Sequence, residues 1–203
     1  MTPQPAFSEE RPSHAFDRSG AHVRGKKKTI VLIHGLWMTP LHWEYFLRCY
    51  ERHGYQVLTP AWPGVRGDVQ ALRRDSSELI GVGIEQVAAH YERIVRTLPE
   101  PPILMGHAEG GLVVQLLLDR GLGRAGVAIE SAPPKGVQSW SWSSLKAWFL
   151  ILKNPAGMQR TVMPTFEQFD YGFAHVMGRT EAREAFDRYV IPAPVRPNCS
   201  FGW

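Results

Sequence analysis

Cysteine is nearly absent from this chain: among 203 residues there are only Cys49 and Cys199. Two thiols so placed form neither a disulfide framework nor a Cys–His metal pattern, and they suit a reducing compartment. The histidines show no metal-ligand spacing, so no metal is expected. Gly81-Val82-Gly83 lacks the third glycine and the preceding strand of a dinucleotide site. A Gly-Lys-Ser/Thr phosphate loop is missing too, and no cofactor is expected. His107-Ala108-Glu109 matches the His-x-Glu of zinc deaminases, but the Pro-Cys-x-x-Cys that must accompany it does not occur. No apolar core of a secretory signal stands at the start. The longest apolar stretch, around Ala147 to Leu152, is too short to span a bilayer. No internal repeat is evident. These absences together set the expectation of a cytoplasmic protein with no membrane span.

What the chain does contain is an ordinary globular balance, 44% apolar and 21% charged, at a length that suits one domain with a real core. Part of its formal charge of +4 is local, because Arg24, Lys26, Lys27 and Lys28 cluster before the first apolar run. Nucleic-acid binding needs a basic face with interleaved aromatics. This run has none, and no nucleic-acid partner is expected.

The most informative stretch runs from Pro102 to Val114. An apolar run ends at Gly106, a tight turn follows, and a helical pattern starts at once. Gly106 and Gly110 are spaced as in the nucleophile elbow Gly-x-Ser-x-Gly, where a strained turn lifts one side chain above a parallel sheet. Gly111 allows close packing of helix on strand. The lifted position holds Ala108, whose methyl group cannot attack a carbonyl. About seventy residues earlier, Thr29-Ile30-Val31-Leu32-Ile33 reads as a strand ending in His34-Gly35-Leu36-Trp37.

Taken in order, residues 1–28 read as a mobile tail. A first strand covers about 29–34, a helix follows from Leu41 to His53 with Leu41, Tyr45, Leu47 and Tyr50 as an approximate apolar face, and a second strand runs from Tyr55 to Thr59. Residues 65–83 read as irregular. A helix from Ile84 to Leu98 stripes Ile84, Val87, Tyr91, Ile94, Val95 and Leu98. The third strand runs to Met105, the elbow helix from about Glu109 to Arg120, and a fourth strand from Ala125 to Ile129. Strands alternating with helices predict an α/β fold with a parallel sheet. If the first and third strands are neighbours, Leu36 and Ala108 meet in the crevice beyond their carboxyl ends.

After Pro133-Pro134-Lys135-Gly136 the pattern changes. Helices are expected at Ser144–Leu152, Phe166–Met177 and Glu181–Tyr189, the last with Thr180 as N-cap. With no strand between them they suggest a helical cap. The division expected is a core at 29–133, a cap at 134–191 and an irregular tail at 192–203.

Together, Ile30-Val31-Leu32-Ile33-His34-Gly35, Pro60-Ala61-Trp62-Pro63-Gly64, Gly106-His107-Ala108-Glu109-Gly110-Gly111 and the cap helices resemble the α/β-hydrolase superfamily. The resemblance is to small bacterial lipase, esterase and haloperoxidase-like members with a helical cap. It implies an α/β-hydrolase fold and ester or amide hydrolysis, with a small apolar ester- or amide-like ligand. Ala108 stands where the family has its nucleophile, and the backbone N–H groups of Leu36 and Glu109 stand where it forms its oxyanion hole. His34 is similar to the histidine that shapes that loop, a structural role shared by Gly35, Gly106, His107, Gly110 and Gly111. Glu130, just after the fourth strand, is the acid candidate. The Glu109 side chain itself reads as a solvated first-turn residue. The family's base histidine follows the cap and two further strands. Here the only histidine beyond the elbow is His175, inside a predicted cap helix, so the base and the late strands are expected to be missing from a truncated chain.

Replacing the serine of such a triad lowers kcat on the order of 10⁶-fold. The expected function is therefore an acyl-hydrolase-type protein that is impaired or inactive as written. The alternatives are a non-catalytic protein that binds a small molecule or a partner, and a truncated product without function. An uncovered fourth strand also predicts self-association.

Overall fold

The computed structural model describes residues 27–134, 137 and 160–194. The expected helix at Ser144–Leu152, most of the expected tails, and Lys135-Gly136 lie outside the described residues. Four strands form a parallel sheet in the order β2-β1-β3-β4: β1 Thr29–Ile33, β2 Gln56–Leu58, β3 Ile103–His107 and β4 Ala125–Ile129. β1 lies beside β3 with Ile33 opposite Gly106. The strand order therefore reverses between them, where parallel sheets open their crevice.

After Thr29, β1 is apolar and buried because both faces of a central parallel strand are covered. Val31 and Ile33 join the larger cluster with Tyr91, Val113, Phe166, Phe169 and Phe186. Ile30 and Leu32 face the other way, onto Trp43 and Met105. Helix α1 (Glu44–Arg52) follows a 3-10 turn at Pro40–Trp43. α2 (Val69–Arg74) and α3 (Ile84–Arg96) come next, and α4 (Glu109–Asp119) starts directly behind the elbow. α3 buries Val87, Ala88, Tyr91 and Val95, close to the expected stripe.

Several expectations are corrected. The stretch 65–83 holds α2, capped by Asp68 accepting from the Ala71 N–H at 2.7 Å, and a 3-10 turn at Ser77–Leu79. α1 buries none of its residues, and Tyr45 is 69% exposed; the inward aromatic is Trp43, one turn earlier. Helix α5 (Phe166–Phe173) ends four residues early, and α6 (Arg179–Tyr189) begins two residues early, with Gly178 rather than Thr180 at its N-cap. His175 falls in the exposed turn between them instead of inside a helix. A two-residue antiparallel pair, β5 (Thr161–Val162) with β6 (Ala193–Pro194), brackets these helices, so the region is not purely helical.

α6 is tied to the sheet layer at both ends of a long sequence separation. Arg188 and Tyr189 donate to the Glu44 carboxylate at 2.6–2.8 Å, and Arg188 holds that carboxyl down at about 2. The Arg73 guanidinium caps the carboxyl end of α6 through the carbonyls of Phe186 and Val190. The Ile191 N–H donates to the Trp37 carbonyl at 2.8 Å, and the Trp37 indole N–H donates to the Val162 carbonyl at 2.8 Å. The loop after β1 is thus fixed from above by the chain around α5 and α6.

Candidate active site at the strand-to-helix elbow

β3 ends at His107, and the chain reverses into α4 at one residue. Ala108 sits at φ 53°, ψ −119°, a region that costs a non-glycine residue about 1–3 kcal/mol and persists only where surroundings enforce it. Here they do. The Ala108 N–H donates to the Ile129 carbonyl at 3.0 Å. Its carbonyl accepts from Gly111 at 2.9 Å, from Leu112 at 3.3 Å and from Ala132 at 3.0 Å. The flanking glycines are needed for space. A Cβ on Gly106 would lie 2.1 Å from the Gly110 oxygen, and one on Gly110 would lie 2.1 Å from the Ile33 oxygen. Helix and strands touch backbone to backbone at these points.

The loop after β1 comes up against this turn. A Cβ on Gly35 would meet the Ala108 methyl at 3.0 Å and the His107 carbonyl at 2.9 Å. The loop and the turn are therefore in contact at Gly35 and Ala108. Glu109 is 5% exposed, and its Oε2 accepts the Leu36 N–H at 3.1 Å. Burial pushes its carboxyl up from the usual range, while the N–H groups of Leu36 and of Glu109 itself partly offset that. The first-turn glutamate is thus folded back into the crevice rather than solvated.

His34 is a buried strut under the same loop. Its Nδ1 contacts the Gly35 carbonyl at 3.0 Å and its Nε2 accepts the Trp62 N–H at 3.2 Å, which places the proton on Nδ1. The ring stacks on Trp62 at 5.2 Å. Burial lowers its pKa to about 3, so the ring is neutral over the physiological range. His107 projects towards His42, ring centroids 5.3 Å apart. Among the described residues neither Nδ1 has a hydrogen-bond partner. Burial lowers both, His42 to about 4. Glu130 is strained, at φ 43°. Its side chain is 87% exposed, and its Oε2 comes no nearer than 4.0 Å to His107 Nε2. The Ser131 hydroxyl is occupied, accepting from Gln115 at 2.7 Å and donating to the Ala132 carbonyl at 2.9 Å.

The crevice thus brings together Gly35, Leu36, Gly106, Ala108, Glu109 and Gly110, with Gly111 packed against Ser131. Glu130 stands apart, in solvent. Two surface hollows lie away from the elbow, one lined by Ile80, Gln86 and Arg93, the other by Tyr45, Arg48 and Arg52. Among the described residues no three metal-ligating side chains converge, and no helix is long and apolar enough to cross a membrane. The site feature that sequence reasoning missed is the Glu109 carboxyl. A glutamate at the first turn reads as an exposed partner of the helix dipole, and its acceptor role depends on a residue 73 positions away.

A family model described as the alpha/beta hydrolase family matches residues 30–202. The chain belongs to the alpha/beta hydrolase family. No curated protein matches it closely enough to add to this. Solved structures agree on the fold. An extracellular alpha/beta-hydrolase from a Paenibacillus species is 24% identical, with a TM-score of 0.64 over 84% of this chain and 68% of that one. Tomato methylketone synthase I, complexed with 2-tridecanone, is 17% identical, with a TM-score of 0.62 over 84% and 69%. A methylesterase from Arabidopsis is 14% identical, with a TM-score of 0.56 over 82% and 66%.

Proposed function

We propose that this chain is an acyl-hydrolase-type member of its family in which the elbow holds a small neutral carbonyl compound without cleaving it. The observation that carries the reading is Ala108. The turn keeps the strained geometry that presents a nucleophile, yet the side chain presented is a methyl. No lone pair is available to form an acyl-enzyme, and a residual of only about 10³–10⁴ over water survives in triad enzymes stripped of their nucleophile. In this reading the N–H groups of Leu36 and Glu109 form the cradle for the ligand oxygen. His34, Gly35, Gly106, His107, Gly110 and Gly111 shape it, and Glu130 takes no part. The segment 29–133 carries the cradle in this reading, with 134–191 as a separate cap segment of the sequence.

Binding is favoured over loss of all function by the way the crevice is built. A strained alanine, two backbone-to-backbone glycine contacts and a buried paired carboxyl are all retained around it. The fold-level likeness to a methylketone synthase complexed with 2-tridecanone suggests a long-chain methyl ketone as the probe. The test is twofold. With p-nitrophenyl butyrate the chain is expected to release nitrophenol at the buffer rate. With 2-tridecanone it is expected to show a saturable rise in Tm. Turnover well above buffer contradicts the reading, and so does a Tm that ignores the ketone.

The same reading includes self-association along β4, whose first four residues are exposed and whose Val127 is 41% exposed. Apolar strands with a free edge recruit further chains. A monodisperse monomer by light scattering would count against it.

A further inference from the structure

Of the two surface hollows, the one between α3 and the loop before it has two walls of different character. It measures about 320 Å³, at the lower end of the range for small-molecule sites. One wall is apolar, made by Pro63, Ile80 and Val82, and Ile80 is 48% exposed. The other wall is α3, which contributes Gln86, Ala89 and Arg93. These recur at helical spacing, so Gln86 and Arg93 stand about 10 Å apart along the axis with the small Ala89 between them. The hollow is held in shape from below. A Cβ on Gly64 would lie 2.5 Å from the Glu78 carbonyl oxygen, so the segments carrying Pro63 and Ile80 touch backbone to backbone.

The polar wall offers donors and no acid. Arg93 has no carboxylate partner among the described residues, because the acids around it are engaged by other arginines. Arg120 holds Glu85 and Glu92, Arg96 also holds Glu92, and Arg66 holds Glu78. The Gln86 side-chain oxygen accepts the Gly83 N–H at 2.8 Å, which leaves its amide N–H groups as the free end. The other hollow differs, since Glu51 lines it together with Arg48 and Arg52 and supplies a countercharge.

We propose that this hollow is a binding site for a small organic monoanion with an apolar body, a short-chain carboxylate, whose charge sits on Arg93 and whose alkyl chain covers Pro63, Ile80 and Val82. A guanidinium fork matches the two oxygens of a carboxylate. An exposed ion pair alone contributes little, so the apolar wall has to add to it by removing Ile80 from water. Inorganic phosphate brings charge but no alkyl chain, and a neutral amide brings the chain but no charge. The site lies away from the elbow and does not depend on the cradle reading.

The deciding experiment titrates hexanoate, hexanamide and inorganic phosphate into the full ¹⁵N-labelled chain and follows the amide peaks of Gly81 and Val82 and the Gln86 side chain. Hexanoate is expected to move them saturably, with half-saturation below about 1 mM. Hexanamide and phosphate are each expected to bind at least about fivefold more weakly. Arg93→Gln should weaken hexanoate at least about fivefold, while Arg96→Gln, one turn further along α3 and paired with Glu92, should leave it unchanged. Peaks that stay still, or saturate only above about 1 mM, overturn the proposal. So does a smaller difference between hexanoate and either other probe, an equal effect of the two arginine variants, or movement confined to the amides of residues 106–111. Should Arg93→Gln fail to fold, the contrast between hexanoate and hexanamide in the unaltered chain decides by the same fivefold margin.

Discussion

β3 has two neighbours, and the molecule treats them differently. Towards β1 the strand enters a crevice where polar groups are paired and backbones touch: His34 bridges Gly35 and Trp62, Glu109 holds Leu36, and Gly110 lies against Ile33. Towards β4 the packing thins. Four of the five β4 residues are exposed, and a Cβ on Gly126 would meet side chains first, those of Leu118 and Val114. The contrast shows where close packing is concentrated. It is spent on the side that fixes the elbow, and that side keeps its geometry although Ala108 carries no reactive atom.

The sharpest way to break this comparison is a matched pair of glycine substitutions. Gly110→Ala drives a methyl into the Ile33 backbone oxygen, which cannot move without distorting β1. A loss of more than about 4 kcal/mol is expected, and little folded protein. Gly126→Ala presses first on side chains, those of Leu118 and the buried Val114, rather than on backbone, and about 1–3 kcal/mol is expected. Urea unfolding of both variants checks this, and equal losses would erase the contrast.

Acid titration comes next in size. The folded pKa of His34 is about 3, below its ordinary 6.5. The unfolded chain therefore takes up a proton first as pH falls. The stability tied to the neutral ring is fully present above pH 6.5 and is lost as pH falls through the window towards 3. The expected slope is about 1.4 kcal/mol per pH unit from His34. His42 adds to it between 6.5 and about 4, by less because it is not fully buried. Urea midpoints from pH 7 to pH 4 read this slope directly. His34→Gln should flatten it more than His107→Gln, whose ring is partly exposed and lies near Glu130.

The smallest effect on stability is expected on the open side. Val127→Lys should change it by less than about 0.5 kcal/mol, since the side chain already reaches solvent. The same change should shift the population towards monomer in light scattering. An unchanged oligomer distribution would remove β4 as the surface of self-association.

The first strand was legible because a parallel strand buried on both faces writes a continuous apolar run, and Thr29–Ile33 was read within a residue of its ends. Ala125–Ile129 was read at its ends too, from a short apolar run bounded by glycine, although most of it is exposed. The elbow was legible through its glycines, which no other residue can replace at these contacts. α2 was missed because only Val69 and Leu72 of its six residues turn inward, and the signal that remained was the Asp68 cap. The α1 stripe misled because tyrosine is content at a surface: its ring packs along the helix while its hydroxyl meets water. Glu109 was misread for a different reason. Its partner is a backbone N–H brought in by another loop, and no local pattern encodes it.

The most direct measurement of the central claim is the intact mass of the chain after brief reaction with p-nitrophenyl butyrate and an acid quench. The account predicts an unmodified mass at every time point, because Ala108 offers no atom to acylate. A butyryl adduct mapping to the peptide that contains residues 106–111 would contradict it.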